Sequence, residues 1–554
     1  MTQTASGGAQ RPQTPSIPAS PRDALRAPSA AARSGRVKVL GGLLAVALTA
    51  GAAQAEPARG DYTLRVSLNS DIRSTQPGGN RDFNTDAVML HIVEGLVALN
   101  EKVAVVPMLA QKVDLSEDGR TYTFTLRDGV TFQNGAPLTS AEVLWSLKRY
   151  LDPATQWRCL PDLNGTSGQA KITDIAAPDA RTVTVTLEKP AALFLATLAR
   201  PDCGGTGILH PASVGSDGNW GKPVGTGPYK LGDWRRGQYV ELERFDGYAA
   251  LPGPRDGFAG GKQAYAAKLR FMVIPDSSAT KAALLAGDID VMTDVPAPEL
   301  PDLRNRAEVS VKAAPSMGMT ALLMQTRDPL LKDVRIRRAI ALALDIPGLV
   351  EGIVGQDVQQ NPSPVPSASA FHSEAQSVRP KRDIAAAKKL LAEAGYRGQP
   401  IRMITNRRYP NVYDSAVAAQ AMAAEAGIPI ELEVLDWATQ LDRYTKGEYQ
   451  MMSFIYSPRL EPSLSYEMIS GPKDRQPRKV WEDPEALSLI QRSMVETDPA
   501  LRQQIFDQLY TRFMQQVPAI VLYNQPDYIA FRKGISGVQP WASGQTRLWG
   551  VARD

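Results

Sequence analysis

The sequence predicts a mixed α/β protein with more than one compact region. Three observations lead there. The chain has 554 residues, too many for a single hydrophobic core. Its composition, 43% hydrophobic and 22% charged, is that of a globular protein. Segments with the two-residue period of strands alternate with segments of helical period along most of its length.

The elements follow in order. DYTLRVSLN (61–69) puts Tyr62, Leu64, Val66 and Leu68 on one face of a strand. TDAVMLHIVEGLV (85–97) has helical spacing. TYTFTLRDGVTFQNG (121–135) reads as two strands around Asp128-Gly129, with a second turn signal at Asn134-Gly135. Thr139-Ser-Ala-Glu142 is a capping box, opening a helix with Val143, Leu147 and Leu151 on one side. TVTVTL (182–187) is a strand. The glycine-rich KPVGTGPYKLGDW (222–234) leads into a hairpin with QYVELERF (238–245). A phosphate cradle would run directly into a helix, so these glycines are expected to serve a tight backbone turn.

Alternation continues to the end. KLRFMVI (268–274) and DIDVM (288–292) are strands flanking a helix that stops at Gly287. Residues 333–345 and 383–396 are amphipathic helices. PIRMIT (400–405) and IPIELEVL (428–435) are strands around a helix at 415–427. A long helix at 499–516 precedes the strand VPAIVLYNQPDYIAF (517–531). The Pro/Ser-rich NPSPVPSASA (361–370) is expected to be a long surface loop.

Charge and cysteines narrow the class. The formal net charge is +4, but six of the 62 basic residues and one of the 58 acidic residues lie in 1–55, so the remainder carries −1. A near-neutral body argues against nucleic acid as the main partner. Residues 1–35 are rich in Pro, Ser, Ala and Gly and are expected to be disordered. Residues 36–55 combine a basic flank, the apolar run VLGGLLAVALTAGAA and Ala53-Gln54-Ala55. That is the pattern of a secretory signal peptide cleaved near Ala55, giving an exported protein; the other reading is a membrane anchor, for which the apolar run is short. The two cysteines, Cys159 and Cys203, are expected to pair in an exported chain. Such a bridge would add ~4 kcal/mol in the chain-entropy model; the other reading is two buried thiols.

No catalytic kit is visible. The three histidines, His91, His210 and His372, lie far from Asp, Glu or Cys at ligand spacing, so no metal or other cofactor is expected. Nucleophile-elbow, zinc-protease and Walker patterns are missing. An exported α/β chain without them points to binding rather than catalysis.

VPMLAQKVDLSEDGRTYTFTLRDGVTFQNGAPLTSAEVLWSLKR (106–149) resembles the signature of the dipeptide/oligopeptide-binding proteins of ABC importers, family 5. PVGTGPY (223–229), LLAGDIDV (284–291), DVRIRRAIALALD (333–345) and AKKLLAEAGY (387–396) extend the resemblance over 61–550. It implies a two-lobed periplasmic binding protein, type II-like, with an extra subdomain inserted in lobe I. Mapped by motif, lobe I is 56–98, 223–316 and 517–554; the inserted subdomain is 99–222; lobe II is 317–516. The implied activity is capture of a peptide or peptide-like solute by hinge closure and its delivery to a membrane permease driven by an ATPase. A monomer is expected.

The same resemblance suggests contact residues. Peptide-binding members grip the α-amino group with an aspartate of the second lobe. Here that run is Tyr456-Ser457-Pro458-Arg459-Leu460-Glu461-Pro462, with Arg459 near the aspartate's place. An arginine fork suits a carboxylate or phosphate, so the solute is expected to offer an anionic group, unless Arg459 pairs with Glu461 or a lobe I acid. Tyr456 stands for a family Trp, and Trp437 matches the family's pocket Trp, its other reading being core packing. Trp157, Arg158, Arg81 and Phe83 belong to segments expected to face the cleft. Alternatives are an anionic non-peptide solute (an opine, sugar-phosphate conjugate or oligosaccharide), a sensor that reports its bound solute to a membrane receptor, or a secreted hydrolase without a recognisable motif.

Overall fold

The fold is organised by one sheet that runs through two regions of the chain. A computed structural model describes residues 59–166, 169–358 and 360–554. Residues 1–55, expected to be a leader and signal peptide, lie outside the described residues. The sheet's strands are β1 (Gly60–Leu68), β2 (Tyr229–Arg235), β3 (Tyr239–Arg244), β4 (Ala266–Val273) and β5 (Val291–Met292). They continue with β6 (Val309–Met324), β7 (Ile401–Asn406), β8 (Ile430–Leu435), β9 (Met451–Tyr456) and β10 (Ala519–Arg532). Their spatial order is β8-β7-β9-β6-β10-β5-β1-β4-β3-β2.

β6 and β10 are the long members, and together they belong to both halves. Their antiparallel register runs from Val309 opposite Arg532 to Pro315 opposite Pro526, breaks, and resumes at Met319 opposite Asn524. The break has a local cause: two facing prolines have no N–H to give the ladder. On one side β10 pairs with β5 and the lobe continues to β2; on the other β6 pairs with β9, followed by β7 and β8. The apolar clusters divide at the same place. Leu64, Val66, Phe271 and Val240 pack together in the first half. In the second, Leu322, Met403 and Met451 form one cluster and Phe454, Trp481 and Phe506 another.

Local sequence explains the elements. Leu64, Val66 and Leu68 are buried along β1, as their two-residue spacing requires. A separate antiparallel sheet holds Ala110–Leu115, Thr121–Leu126, Thr182–Leu187 and Ile172–Asp179 in that order. The helix Ser140–Leu151 opens with the capping box, Thr139 N–H donating to Glu142 at 3.0 Å. Helix Ser277–Ala286 stops where Gly287 takes a left-handed φ of 85°.

Four expectations change. The helix expected over 85–97 ends at Met89, and Val97–Leu99 is already a strand. The second strand expected after Asp128-Gly129 reduces to a single bridge between Thr131 and Pro137. Gly225 and Gly227 are not left-handed; they are needed for close approach. A Cβ on Gly225 would sit 2.2 Å from the Ile92 carbonyl oxygen, and one on Gly227 2.6 Å from that of His91. NPSPVPSASA is no surface loop: residues 361–366 are buried. The Asn361 amide replaces a strand partner, donating to the Ser363 and Val365 carbonyls and to Asn524 Oδ1 at 2.9–3.1 Å.

The second half carries an acid-sensitive cap. Asp483, 8% exposed, accepts from Ala486 N–H and Gln516 Nε2, both at 2.8 Å, and from Arg512. Burial alone would raise its pKa, but these donors outweigh it and hold it at about 2. The folded value lies below the unfolded one of about 4, so this stabilisation is present above pH ~4 and lost as pH falls through 2. Asp483→Asn is expected to flatten the acid limb of the stability profile between pH 4 and 2, measured by urea midpoints.

Candidate functional site

A cleft of about 1210 Å³ is lined by segments from both regions of the chain. Its first wall comes from the loop before helix Phe83–Met89, from Leu99–Val105, from Arg158 and Asp162, from residues 192–202, and from Ser543 and Gln545. Its second wall comes from Ser369–Phe371, Ser457–Leu464 and Pro499–Gln503. Ligand sites at the carboxyl ends of strands are a general property of α/β sheets. Here β9 ends at Tyr456 and the chain runs straight into Ser457-Pro458-Arg459 on the wall. Glu461 fixes the next turn by accepting from Ser463 N–H at 2.9 Å at the start of helix Pro462–Ile469.

Most charges in the cleft are already partnered. Arg200 donates Nε and Nη2 to Asp202 at 2.9 and 2.6 Å and Nη1 to Asp162 at 2.9 Å. Burial opposes ionisation of Asp202, yet the two-pronged Arg200 contact wins and lowers its pKa. Arg81 is paired with Asp86, and Arg502 with Glu461. Arg459 is different. Its one hydrogen bond goes to the neighbouring Pro458 carbonyl at 3.1 Å, and it bridges no carboxylate among the described residues. Glu461 is taken by Arg502, so the intramolecular pairing considered for Arg459 is not formed. Burial pushes the Arg459 pKa down, with Arg478 and Arg200 acting in the same direction and Glu467 against. Arg158 also bridges no carboxylate among the described residues.

Arg459, Arg158, Arg81 and Phe83 therefore share one cleft, Phe83 being 48% exposed. The other three expected contacts do not line it. Trp157 is buried, donating its indole N–H to the Cys203 carbonyl at 2.9 Å. Tyr456 is buried, its ring edge against Phe454 at 5.0 Å. Trp437 packs at the margin of a core cluster, stacked on Phe454 and edge-on to Tyr409. In each case the ring turns to the core because apolar neighbours lie behind the wall. Cys159 and Cys203 form a disulfide between the segments carrying Arg158 and Asp202. The grouping of possible metal ligands there, Cys159, Asp202 and Cys203, has both sulfurs in that bond. Sequence reasoning missed Arg200, Phe371 and Gln545 as wall residues. Only the Pro/Ser run ahead of Phe371 offered a signal, and it suggested solvent.

Two halves of one sheet, spanned by two strands and enclosing a cleft, define a two-lobed solute-binding protein. Residues 104–476 match the family model described as bacterial extracellular solute-binding proteins, family 5 middle, and the chain belongs to that family, which serves ABC importers. The probable D,D-dipeptide-binding periplasmic protein DdpA of Escherichia coli K12 is 27% identical over 444 residues, 77% of this chain and 81% of its own. HbpA2 from Haemophilus parasuis has a similar structure, with a TM-score of 0.76 at 22% identity, covering 89% of this chain and 100% of its own. AgaA from A. tumefaciens R10, solved with agropinic acid, has a TM-score of 0.60 at 24% identity, covering 89% of this chain and 99% of its own. Among the described residues no helix is long and apolar enough to cross a membrane.

Proposed function

We propose that this protein is the exported, periplasmic binding subunit of an ABC importer and that it captures a peptide or peptide-like solute with an anionic group. It closes on the solute between lobes and, as a monomer, passes it unchanged to a permease driven by an ATPase. The facing Pro315 and Pro526 mark the hinge: lobe I is 56–98, 223–316 and the chain after Pro526 with 99–222 inserted, and lobe II is 317–516 together with 517–525, which the motif map gave to lobe I but whose Val517, Ile520 and Leu522 pack in the second half's core. The observation that carries the anionic reading is Arg459, a cleft guanidinium without a carboxylate partner among the described residues. Bidentate contact to a carboxylate or phosphate uses its free fork. Phe83, Leu464 and Phe371 give the cleft apolar surface for the rest of the solute.

The relatives named for D,D-dipeptide and agropinic acid support both a peptide and a non-peptide anion as members of this class. Native mass spectrometry of the purified protein identifies whichever solute travels with it. Titration calorimetry with that solute is expected to show Arg459→Ala weakening affinity about 10- to 100-fold, the loss of a hydrogen bond to a charged group. Unchanged affinity in the variant overturns the anionic reading.

A further inference from the structure

The two walls of the cleft meet directly. Ala370 N–H donates to the Lys102 carbonyl at 3.0 Å, and Ala192 N–H to the Met494 carbonyl at 3.1 Å. Ala370 and Ala192 themselves line the cleft, so these backbone bonds tie its opposite walls together. Neither bond depends on a side chain, and neither discriminates between solutes. Alone they would favour closure whether or not a solute were present.

Something must oppose them if closure is to report binding, and the charges around Arg459 supply it. Arg200 faces the same cleft from the other wall, and Arg478 stands beside Arg459 on its own half. Arg200 has spent its donors on Asp162 and Asp202. Arg478 donates to the Tyr444 hydroxyl at 3.3 Å. The carboxylate that acts on Arg459 is Glu467, and Glu467 is bound at 2.6 Å by Lys479, whose side chain is fully buried. Bringing the walls together thus withdraws water from a cation whose neighbouring acid is already committed. Burying a charge without a partner is costly. Any term present only in the closed form shifts the equilibrium between forms.

We propose that Arg459 is a brake on closure as well as a contact: its uncompensated charge holds the lobes apart until a solute's anionic group neutralises it. This rests on the anionic reading above. It makes the closed state, the one a permease would accept, conditional on the charge of the solute and not only on its fit. A neutral solute of the right shape would enter the cleft and leave it open.

The test needs no identified solute. Small-angle scattering is measured on extensively dialysed full-length mature protein: the parent, Arg459→Lys, Arg459→Gln and Arg459→Glu. Circular dichroism confirms that each folds. Arg459→Lys keeps the charge and is expected to match the parent radius of gyration. Arg459→Gln removes the brake and is expected to shrink it; Arg459→Glu, in the same cleft as Arg158, which bridges no carboxylate among the described residues, shrinks it further. Identical radii across the four proteins, or expansion in Arg459→Glu, overturn the brake. If Arg459→Gln loses affinity for the co-purified solute while its unliganded radius stays at the parent value, the brake falls and the anionic contact stands.

Discussion

Glu94→Gln is expected to lower stability by about 3–5 kcal/mol, the cost of stranding a buried charge. Glu94 and Lys262 are bridged at 3.1 Å with side chains 0% and 2% exposed. Burial pushes the Lys262 pKa down, and Glu94 pulls against that shift. Tyr248 and Thr226 hydroxyls donate to the same carboxylate at 2.8 and 3.1 Å, and Lys262 lies 4.9 Å from the Trp549 ring centroid. One carboxylate thereby gathers Thr226 of the PVGTGPY segment, Tyr248, Arg127 and Lys262. Glutamine keeps the shape and the acceptor but leaves the ammonium without counter-charge. A urea midpoint that moves by less than 1 kcal/mol's worth contradicts this. Replacing both partners, Glu94→Gln with Lys262→Met, is expected to recover part of the loss: Lys262 no longer needs a counter-charge, but Arg127, which also bridges Glu94 at 3.9 Å, still does.

The second large effect is the disulfide. Cys159 and Cys203 are 44 residues apart in sequence, and restraining a loop of that length is worth ~4 kcal/mol in the chain-entropy model. Cys159→Ser with Cys203→Ser is expected to lose about that amount, read as a fall in the unfolding midpoint. Affinity is expected to fall as well, at temperatures where the variant is fully folded. The bridge lies beside Arg158 and Asp202, and the Trp157 indole holds the Cys203 carbonyl, so releasing it loosens a charged stretch of wall. A variant that loses stability while binding the co-purified solute as before shows that the bridge serves the fold alone.

Much of this was legible in the sequence because local signals agreed with the final structure. The spacing of Leu64, Val66 and Leu68, the Thr139 capping box and the glycine at 287 each act within a few residues, and each produced its element. What depended on distant partners was not legible. Gly225 and Gly227 are small because the chain at His91 and Ile92 crosses them, more than 130 residues away in sequence. Residues 361–366 look like a solvent loop until the Asn361 amide is seen to satisfy the backbone. The site divides the same way. Motif position brought Arg459, Arg158, Arg81 and Phe83 to one cleft. It could not say which way an aromatic ring turns, and Trp157, Tyr456 and Trp437 turn to the core. Arg200 and Gln545 stand in stretches with no pattern of their own, and only the folded wall picks them out.

The most direct test of the binding account is a crystal structure of the mature protein with the solute it carries from the cell. The account predicts that solute between the lobes, touching both walls, with a carboxylate or phosphate oxygen on the Arg459 guanidinium. A solute seated outside the cleft, or held in it with Arg459 turned to water, contradicts the account.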